Sequence, residues 1–391
     1  MQRLRDPRAP AVTPGAAASR RLFLGRFAAA SFGALAASCA TRTSHPSRAG
    51  LPRLRRLAPV AVSRDARIRQ VVGHRPYRAS GFVVRGEKLD EKLLVQNYGH
   101  GGGGISLSWG SAQVALEIAR AAPLRRAAVI GCGALGLSSA RLLQDAGFDV
   151  TLYARDLPPH TTSNVAGGLW DPFAVSAPGR TTAAYDAQFE RATRLAYRRF
   201  QDLVGARYGV RWIEALFVGD EPLGDEGVVF ELLRPTHYGP GQHPFPARHV
   251  TSVFSMLIEP TQYLPALIDD FRGAGGRIVV REFKDRSDLN TLPEPLIVNC
   301  TGLGSRELLG DLELEPAKGQ LEVLRPAPEL DYVTLGPGPG VLYMIPRSDG
   351  VLLGGSFGLG DSSSDPDRAE SDRILESHAR VNAALASAQP V

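Results

Sequence analysis

Apolar and polar positions alternate most tellingly between residues 126 and 154. Ala127-Ala128-Val129-Ile130 is a short apolar run of the kind a buried strand uses, and Gly131-Cys132-Gly133-Ala134-Leu135-Gly136 follows at once. Over residues 137–146 the apolar positions recur at helical spacing, and Gly147 stands where a helix C-terminus favours glycine. A second apolar run covers residues 149–153. The pattern predicts a βαβ unit with G-x-G-x-x-G at its first turn. Gly131 permits the tight turn, Gly133 lets a pyrophosphate approach the backbone, and Gly136 lets helix pack on strand. With Ala134 and Leu135 the turn opens a helix whose free N–H groups and positive dipole end suit phosphate. The alternative is a glycine turn that holds no ligand.

Upstream, residues 68–72, 81–85 and 93–97 each read as a strand, with Gly73-His74-Arg75-Pro76 after the first. The third runs into Tyr98-Gly99-His100-Gly101-Gly102-Gly103-Gly104, five glycines in seven residues, then Ile105 and Ser106. Such a run removes side-chain bulk where backbone must approach a flat ligand, or else makes a flexible hairpin tip. An amphipathic helix predicted over 111–121 anchors its far end. Read by itself, Arg75 is a surface arginine beside proline, the commoner fate of an arginine.

Downstream, residues 185–208 carry a long helical pattern whose apolar face, Phe189, Leu195, Phe200 and Leu203, reads as core packing. Residues 211–217, 228–233 and 321–324 read as strands of a mostly antiparallel sheet. Residues 235–249, rich in His, Pro and Gly, read as a loop and a candidate lid. His237, His243 and His249 fit no metal-site spacing, so no metal is expected. A helix over 263–272, ended by glycines, and strands over 277–280 and 296–300 return the chain to the first unit.

Composition adds limits. The 391 residues are 43% hydrophobic and 22% charged, enough for a sizeable core. The net charge of +5 comes from arginines crowded at the N-terminus, so the pI of 9.2 argues little for nucleic acid. Cys39, Cys132 and Cys300 are scattered and make neither a disulfide framework nor a metal site. Within residues 1–40, Ser19-Arg20-Arg21-Leu22-Phe23-Leu24 resembles a twin-arginine export signal, followed by an apolar run too short for a comfortable span. Export to the periplasm through the twin-arginine translocase is expected. Cys39 also hints at a lipoprotein signal, with its leucine one place too far upstream. Residues 41–65 read as a disordered linker.

Several motifs together resemble the D-amino acid oxidase family of FAD-dependent flavoenzymes. They are the 131–136 fingerprint, Thr161-Thr162-Ser163-Asn164-Val165-Ala166-Gly167-Gly168-Leu169-Trp170, Ile297-Val298-Asn299-Cys300-Thr301-Gly302, and Tyr343-Met344-Ile345-Pro346 with residues 352–357. Asn97-Tyr98-Gly99-His100-Gly101-Gly102 with Trp109-Gly110 looks like that family's closing signature, and Gly73-His74-Arg75-Pro76 like its substrate-arginine motif. The resemblance covers about residues 66–385. In the family the last two motifs close the chain; here they precede the fingerprint, as in a circular permutation joined at residues 122–126.

The resemblance implies an α/β fold: a Rossmann-like FAD-binding domain interleaved with an α+β substrate domain on a mostly antiparallel sheet. One module is expected over 66–391, its permuted segment at 66–120 and the family's earlier part at 121–391. FAD would contact Gly131, Gly133, Ala134, Leu135, Gly136, Asp156, Thr161, Thr162, Gly168, Leu169, Trp170, Thr301 and Gly302, and His100, Gly101, Gly103, Gly104, Ile105 and Ser106. Arg75 would clamp the substrate carboxylate and the Gly102 carbonyl would accept from its amine. The implied reaction is oxidation of a D-amino acid to an imine and then a 2-oxo acid, with molecular oxygen as acceptor. A related glycine, sarcosine or amine oxidase or dehydrogenase, or a non-catalytic exported flavoprotein, are the alternatives. The chain departs from the pattern at Arg155, where an acid is common and Asp156 follows. Asp171 and Phe173 replace a glutamine and a tyrosine near the pocket; an acid there would favour a basic substrate. No lid tyrosine is found over 244–254, where His249 or Ser252 lies nearest.

Overall fold

The computed structural model describes residues 52–336 and 342–387. After an extended stretch over 52–63, the chain forms β1 (Arg67–Tyr77), then a hairpin of β2 (Val83–Leu89) and β3 (Lys92–Tyr98). A 3-10 turn over Gly101–Gly103 opens α1 (Gly104–Arg120). The glycine fingerprint lies in the unit β4 (Arg126–Ile130), α2 (Ala134–Asp145) and β5 (Asp149–Ala154), as its periodicity predicts. Next come α3 (Thr162–Val165), α4 (Ala183–Asp202), β6 (Val210–Gly219), α5 (Val228–Leu233), β7 (Thr236–Tyr238) and β8 (His249–Ile258). The chain continues through α6 (Pro260–Gly273), β9 (Arg277–Val280), α7 (Arg286–Asn290), β10 (Leu296–Asn299) and α8 (Ser305–Leu309). It ends in β11 (Glu315–Leu324), β12 (Tyr332–Leu335), β13 (Tyr343–Arg347), β14 (Gly350–Gly354), β15 (Gly358–Leu359) and α9 (Arg368–Ser387).

Among the described residues these strands make two sheets. One runs β2-β3-β10-β4-β5-β9, parallel except for β2. Its central strands are apolar on both faces because helices cover both, so they read as continuous apolar runs rather than alternations. The other runs β1-β11-β14-β13-β12-β6-β8-β7, with β15 on β11, and is antiparallel except between β12 and β6. This is the Rossmann-like sheet beside a mostly antiparallel one that the motifs imply. Helix α2 ends as its sequence dictates: Gly147 takes φ +84°, its N–H donates to Gln144 O and that of Phe148 to Leu143 O. No helix among the described residues is long and apolar enough to cross a membrane.

Several expectations need correction. β1 does not stop at Val72 but continues through Arg75, because Gly73 and Arg75 pair with Gly319 and Ala317 of β11. Helix α1 starts at Gly104, not at 111, so the glycine run is its entry rather than a loose tip. Residues 228–233 are the helix α5, not a strand: Gly227 at φ +95° breaks the extended chain, only Glu231 of the six is exposed, and Arg234 caps in the left-handed region. The segment 235–249 is no lid over the glycine run. It holds β7, at the opposite edge of the sheet from β1, and Gln242 holds the 52–63 stretch through Leu54 N–H and Pro52 O. His237 bonds to Asp225 and Thr251, and no metal-binding cluster occurs among the described residues.

Residues 52–65 are not a disordered linker either. They form a strap with Leu54, Leu57 and Val60 buried against α9 and the larger sheet. Its polar backbone is satisfied by Asn382, whose Oδ1 accepts from Val60 N–H at 2.7 Å, and Arg55 reaches Glu214 and Asp331. Leu54, Leu57 and Val60 recur at every third residue, which matches neither the helical nor the strand period, so arginine and proline dominate the sequence pattern there. The twin-arginine motif, Cys39 and residues 41–51 lie outside the described residues.

Candidate active site

The fingerprint turn is built by close backbone approach. Gly131 takes φ +107°, and a Cβ on it would sit 2.5 Å from the Cys300 carbonyl of β10's end. A Cβ on Gly136 would collide with the Gly131 carbonyl oxygen. Gly133 differs: it is extended at the mouth of α2, and its Cβ would meet only the Ser163 hydroxyl, at 2.9 Å. Ser163 Oγ accepts from Ala134 N–H at 3.0 Å, so this hydroxyl already rests on the first N–H of α2. Thr161 and Thr162 are the residues the motif points to, whereas Ser163, beside them in sequence, gains its role only from this contact. Thr161 donates to Asn164 Oδ1 at 2.8 Å and caps α3, while Thr162 is exposed. Asp156 lies just beyond β5, exposed and bonded to Arg155 at 2.8 Å.

The second glycine run faces a different partner. Gly101, at φ +53°, Gly102 and Gly103 press on the turn 172–175, where a Cβ on Gly102 would lie 2.6 Å from Phe173 O. Gly102 N–H donates to Ala174 O at 3.2 Å. Asp171 and Phe173 therefore stand beside this run, Phe173 partly exposed. Ser106, one turn into α1, accepts from Asp171 N–H and donates to Leu169 O, with Gly104 and Ile105 just before it. Gly168, Leu169 and Trp170 are buried against β8: Gly168 takes φ +90° and Trp170 N–H donates to Met256 O. Thr301 closes the far side, its hydroxyl donating to Asn299 Oδ1 at 2.8 Å, and Gly302, at φ +56°, borders Pro76 next to Arg75.

His100 is the electrostatic oddity. It is wholly buried, stacked on Phe82 with centroids 4.4 Å apart, and neither ring nitrogen has a hydrogen-bond partner. Burial alone pushes its pKa down to about 3, so the ring is neutral. Asn97 Oδ1, on the same segment, is also buried without a partner. Buried polar atoms without a partner are uncommon in native structures and each calls for an explanation, a bound group among them.

Arg75 is the one cation of β1 with no carboxylate in ion-pair reach among the described residues; Arg67 and Arg69 pair with Glu322 and Asp349. Its guanidinium is half-buried over Gly319, where a Cβ would lie 2.5 Å from Nη1. It donates weakly to Ser356 O at 3.4 Å and to the Tyr343 hydroxyl at 3.5 Å, and lies 5.6 Å from the Phe357 ring centre. Tyr77 packs edge-on against Phe357 and reaches the Gly101 side, which links Arg75 to the glycine run. Tyr343 is the residue that sequence reasoning missed: Gly354 leaves room for its ring, and β13 delivers it to an arginine 268 positions away. Ser252 instead donates to buried Glu214 under the strap, and His249 opens β8, so neither takes that place.

Residues 126–389 match the family described as FAD dependent oxidoreductase. A D-amino-acid oxidase from Rubrobacter xylanophilus is 33% identical over 257 residues, 64% of this chain and 75% of that protein. A D-amino acid oxidase from Dugesia ryukyuensis is 29% identical over 269 residues, 63% of this chain and 75% of that protein. The solved structure of glycine oxidase from Geobacillus kaustophilus aligns over 68% of this chain and 81% of its own at 17% identity and a TM-score of 0.49.

Proposed function

The chain belongs to the FAD-dependent oxidoreductase family, and from that premise we propose that it oxidises D-amino acids to 2-oxo acids. It is an FAD-dependent oxidoreductase acting on amino donors. The residues present fit FAD: a cradle at Gly133 that only a hydroxyl borders, a helix N-terminus behind it, and orphaned polar atoms on His100 and Asn97. Gly131, Gly133, Ala134, Leu135, Gly136 and Ser163 would hold the pyrophosphate; Asp156 would take the ribose; the segments at 100–106, 168–170 and 301–302 would border the rest. When bound, FAD supplies the acceptor for the substrate hydride.

The observation that carries the reading is Arg75, a half-buried guanidinium without a carboxylate of its own. A planar fork of that kind matches a substrate carboxylate, and the Tyr343 hydroxyl beside it adds a second donor. The Gly102 carbonyl would accept from the substrate amine and so orient it. Orientation of this kind is worth several powers of ten in rate. Tyr77, Phe357 and Phe173 supply apolar surface beside it, with Phe357 and Phe173 exposed. Oxygen would serve as the final electron acceptor, releasing hydrogen peroxide and, after hydrolysis of the imine, ammonia.

The test is a panel of D- and L-amino acids, glycine and sarcosine mixed anaerobically with the flavin-loaded protein. Bleaching of the flavin absorbance by D-amino acids, with peroxide formed on admitting air, is expected. Arg75→Ala should keep its flavin and lose at least about 3 kcal/mol in kcat/KM, because a charged partner is removed. Bleaching by glycine or sarcosine alone would overturn the substrate assignment.

Two further features complete the reading. Residues 66–120 are proposed to be the family's closing segment moved to the front; the family match beginning at residue 126, right after α1, supports this. Export by the twin-arginine route suits a protein that must acquire FAD before crossing, since a βαβ phosphate site exists only once folded. Replacing Arg20-Arg21 with Lys-Lys should keep the flavoprotein cytoplasmic while the parent appears outside the inner membrane; the same compartment for both would dismiss the signal.

A further inference from the structure

Three residues beyond Arg75, a second arginine is bound far more tightly than its place in a turn requires. Arg78 follows the end of β1 and is mostly buried, its side chain 14% exposed. Its Nε donates to Asp311 Oδ2 and its Nη2 to Glu313 Oε2, both at 2.8 Å. Its Nη1 donates to Ser80 Oγ and Gly81 O, also at 2.8 Å, so the guanidinium staples its own turn. Glu313 accepts in addition from Ser80 N–H and hydroxyl, and Asp311 from the Tyr98 hydroxyl at 2.8 Å. Burial opposes ionisation of Asp311, yet hydrogen bonds from Tyr98 and Arg78 and the charge of Arg78 hold its carboxyl below the usual range.

The stem of Arg78 lies against Gly99, where a Cβ would stand 2.7 Å from the arginine Cδ. Gly99 takes φ +84° and opens the glycine run. One side chain thus touches the strand that delivers Arg75 and the turn that delivers Gly102, and the 311–313 loop locks it in place. Neither of those two elements pairs with the other: β1 belongs to the antiparallel sheet and β3 to the Rossmann-like one.

We propose that Arg78, clamped by Asp311 and Glu313, is a positioning residue that fixes the distance between the Arg75 guanidinium and the Gly102 backbone. The inference rests on the reading of Arg75 as the carboxylate anchor. Arg78 touches no substrate. Its fork satisfies two carboxylates and two turn oxygens at once, which lysine, a single point charge, cannot do.

The experiment uses the flavin-loaded full chain, with Arg78→Met, Arg78→Lys and Glu313→Gln beside Arg75→Ala. Binding of propionate, a carboxylate with no amine to oxidise, is read from the flavin absorbance, and FAD affinity from fluorescence quenching. KM and kcat are read with the best D-amino acid of the panel. Arg78→Met should weaken propionate and raise KM at least tenfold while kcat stays within threefold and FAD affinity holds. Arg78→Lys should recover part of the loss. Glu313→Gln leaves Arg78 its other partners and should show the same split at about threefold, which keeps the proposal testable if Arg78→Met fails to fold. Wild-type propionate binding and KM in soluble Arg78→Met or Glu313→Gln, with Arg75→Ala weakened, would overturn the positioning role alone. If Arg75→Ala also binds propionate like wild type, the anchor reading itself fails. Parallel loss of melting temperature, FAD affinity and kcat in the Arg78 variants would reduce Arg78 to a structural pin and likewise overturn the proposal.

Discussion

His378 lies on α9, away from the glycine turns, and is buried almost completely. Its Nε2–H donates to Gly354 O at 3.3 Å, since a carbonyl can only accept, and its Nδ1 has no partner. Burial pushes its pKa down to about 4, with the Gly354 carbonyl opposing and Arg373 adding slightly. The sign follows from linkage. The unfolded chain takes up a proton near pH 6.5 that the folded chain refuses until about pH 4, so stability is whole above the first value and falls as pH drops through the window between them. His100 acts in the same direction, with a folded pKa of about 3. Between pH 7.5 and 5.5 each such histidine removes about 1.4 kcal/mol. At fixed saturating FAD, the stability from urea unfolding should therefore fall over that range, and His378→Leu should remove about 1.4 kcal/mol of the fall. An unchanged difference between the two pH values in the variant would mean that His378 titrates normally. Single residues were unequally legible. Arg75 stood out because a motif framed it, whereas Tyr343 and Ser163 gain their meaning from neighbours that only the fold supplies.

Helix α2 and the strands beside it were readable because every local signal agrees there: apolar strands, glycine at the turn, helical period, and Gly147 in the left-handed region. The same unit separates two uses of glycine. Gly136 meets backbone, the Gly131 carbonyl, and cannot accept a methyl without moving β4 against α2. Gly133 meets only the end of the Ser163 side chain, which can rotate away. Gly136→Ala should accordingly destabilise the fold by about 1–3 kcal/mol of overpacking, and so lower the melting temperature, before any effect on FAD is considered. Gly133→Val should leave the fold near its parent stability when FAD is absent, and abolish FAD binding by filling the space a phosphate needs. Thermal melts with and without FAD, with a fluorescence titration, separate the two. Equal FAD affinity in folded Gly133→Val would remove the fingerprint from the site. Elements with weaker local signals are not legible in the sequence, for definable reasons. Six mostly apolar residues in α5 lack both a clear alternation and a full helical period, so short length defeats the pattern. The strap over 52–63 is ordered by tertiary burial of Leu54, Leu57 and Val60, which composition cannot register.

Residues 67–120 are divided between two sheets that are otherwise built from the rest of the chain: β1 pairs with β11, and β3 with β10. Such a segment can occupy either end of a sequence only if the connection needed for each order is short. One connection exists, since residues 121–125 carry α1 into β4. The other is legible in the strap, which runs along α9 in the opposite direction. Arg67 bonds to Ser371, Arg64 pairs with Asp372, Val60 N–H with Asn382, and Leu57 shares an apolar cluster with Leu385. Followed back from β1, the strap thus approaches the C-terminal turns of α9, a nearness of the kind that makes circular rearrangement tolerable. A chain opened between α1 and β4, carrying residues 126–387, a short Gly/Ser linker and then residues 54–125, should keep every strand pairing. Because loop-closure entropy grows slowly with length, linkers of roughly 4 to 12 residues should differ by less than about 1 kcal/mol. The rearranged protein should be soluble, bind FAD with an affinity within tenfold of the parent, and raise the same flavin absorbance change with propionate. Failure to bind FAD at every linker length would mean that the order of the segments is built into the fold, and the kinship of residues 66–120 with a moved family segment would have to be abandoned.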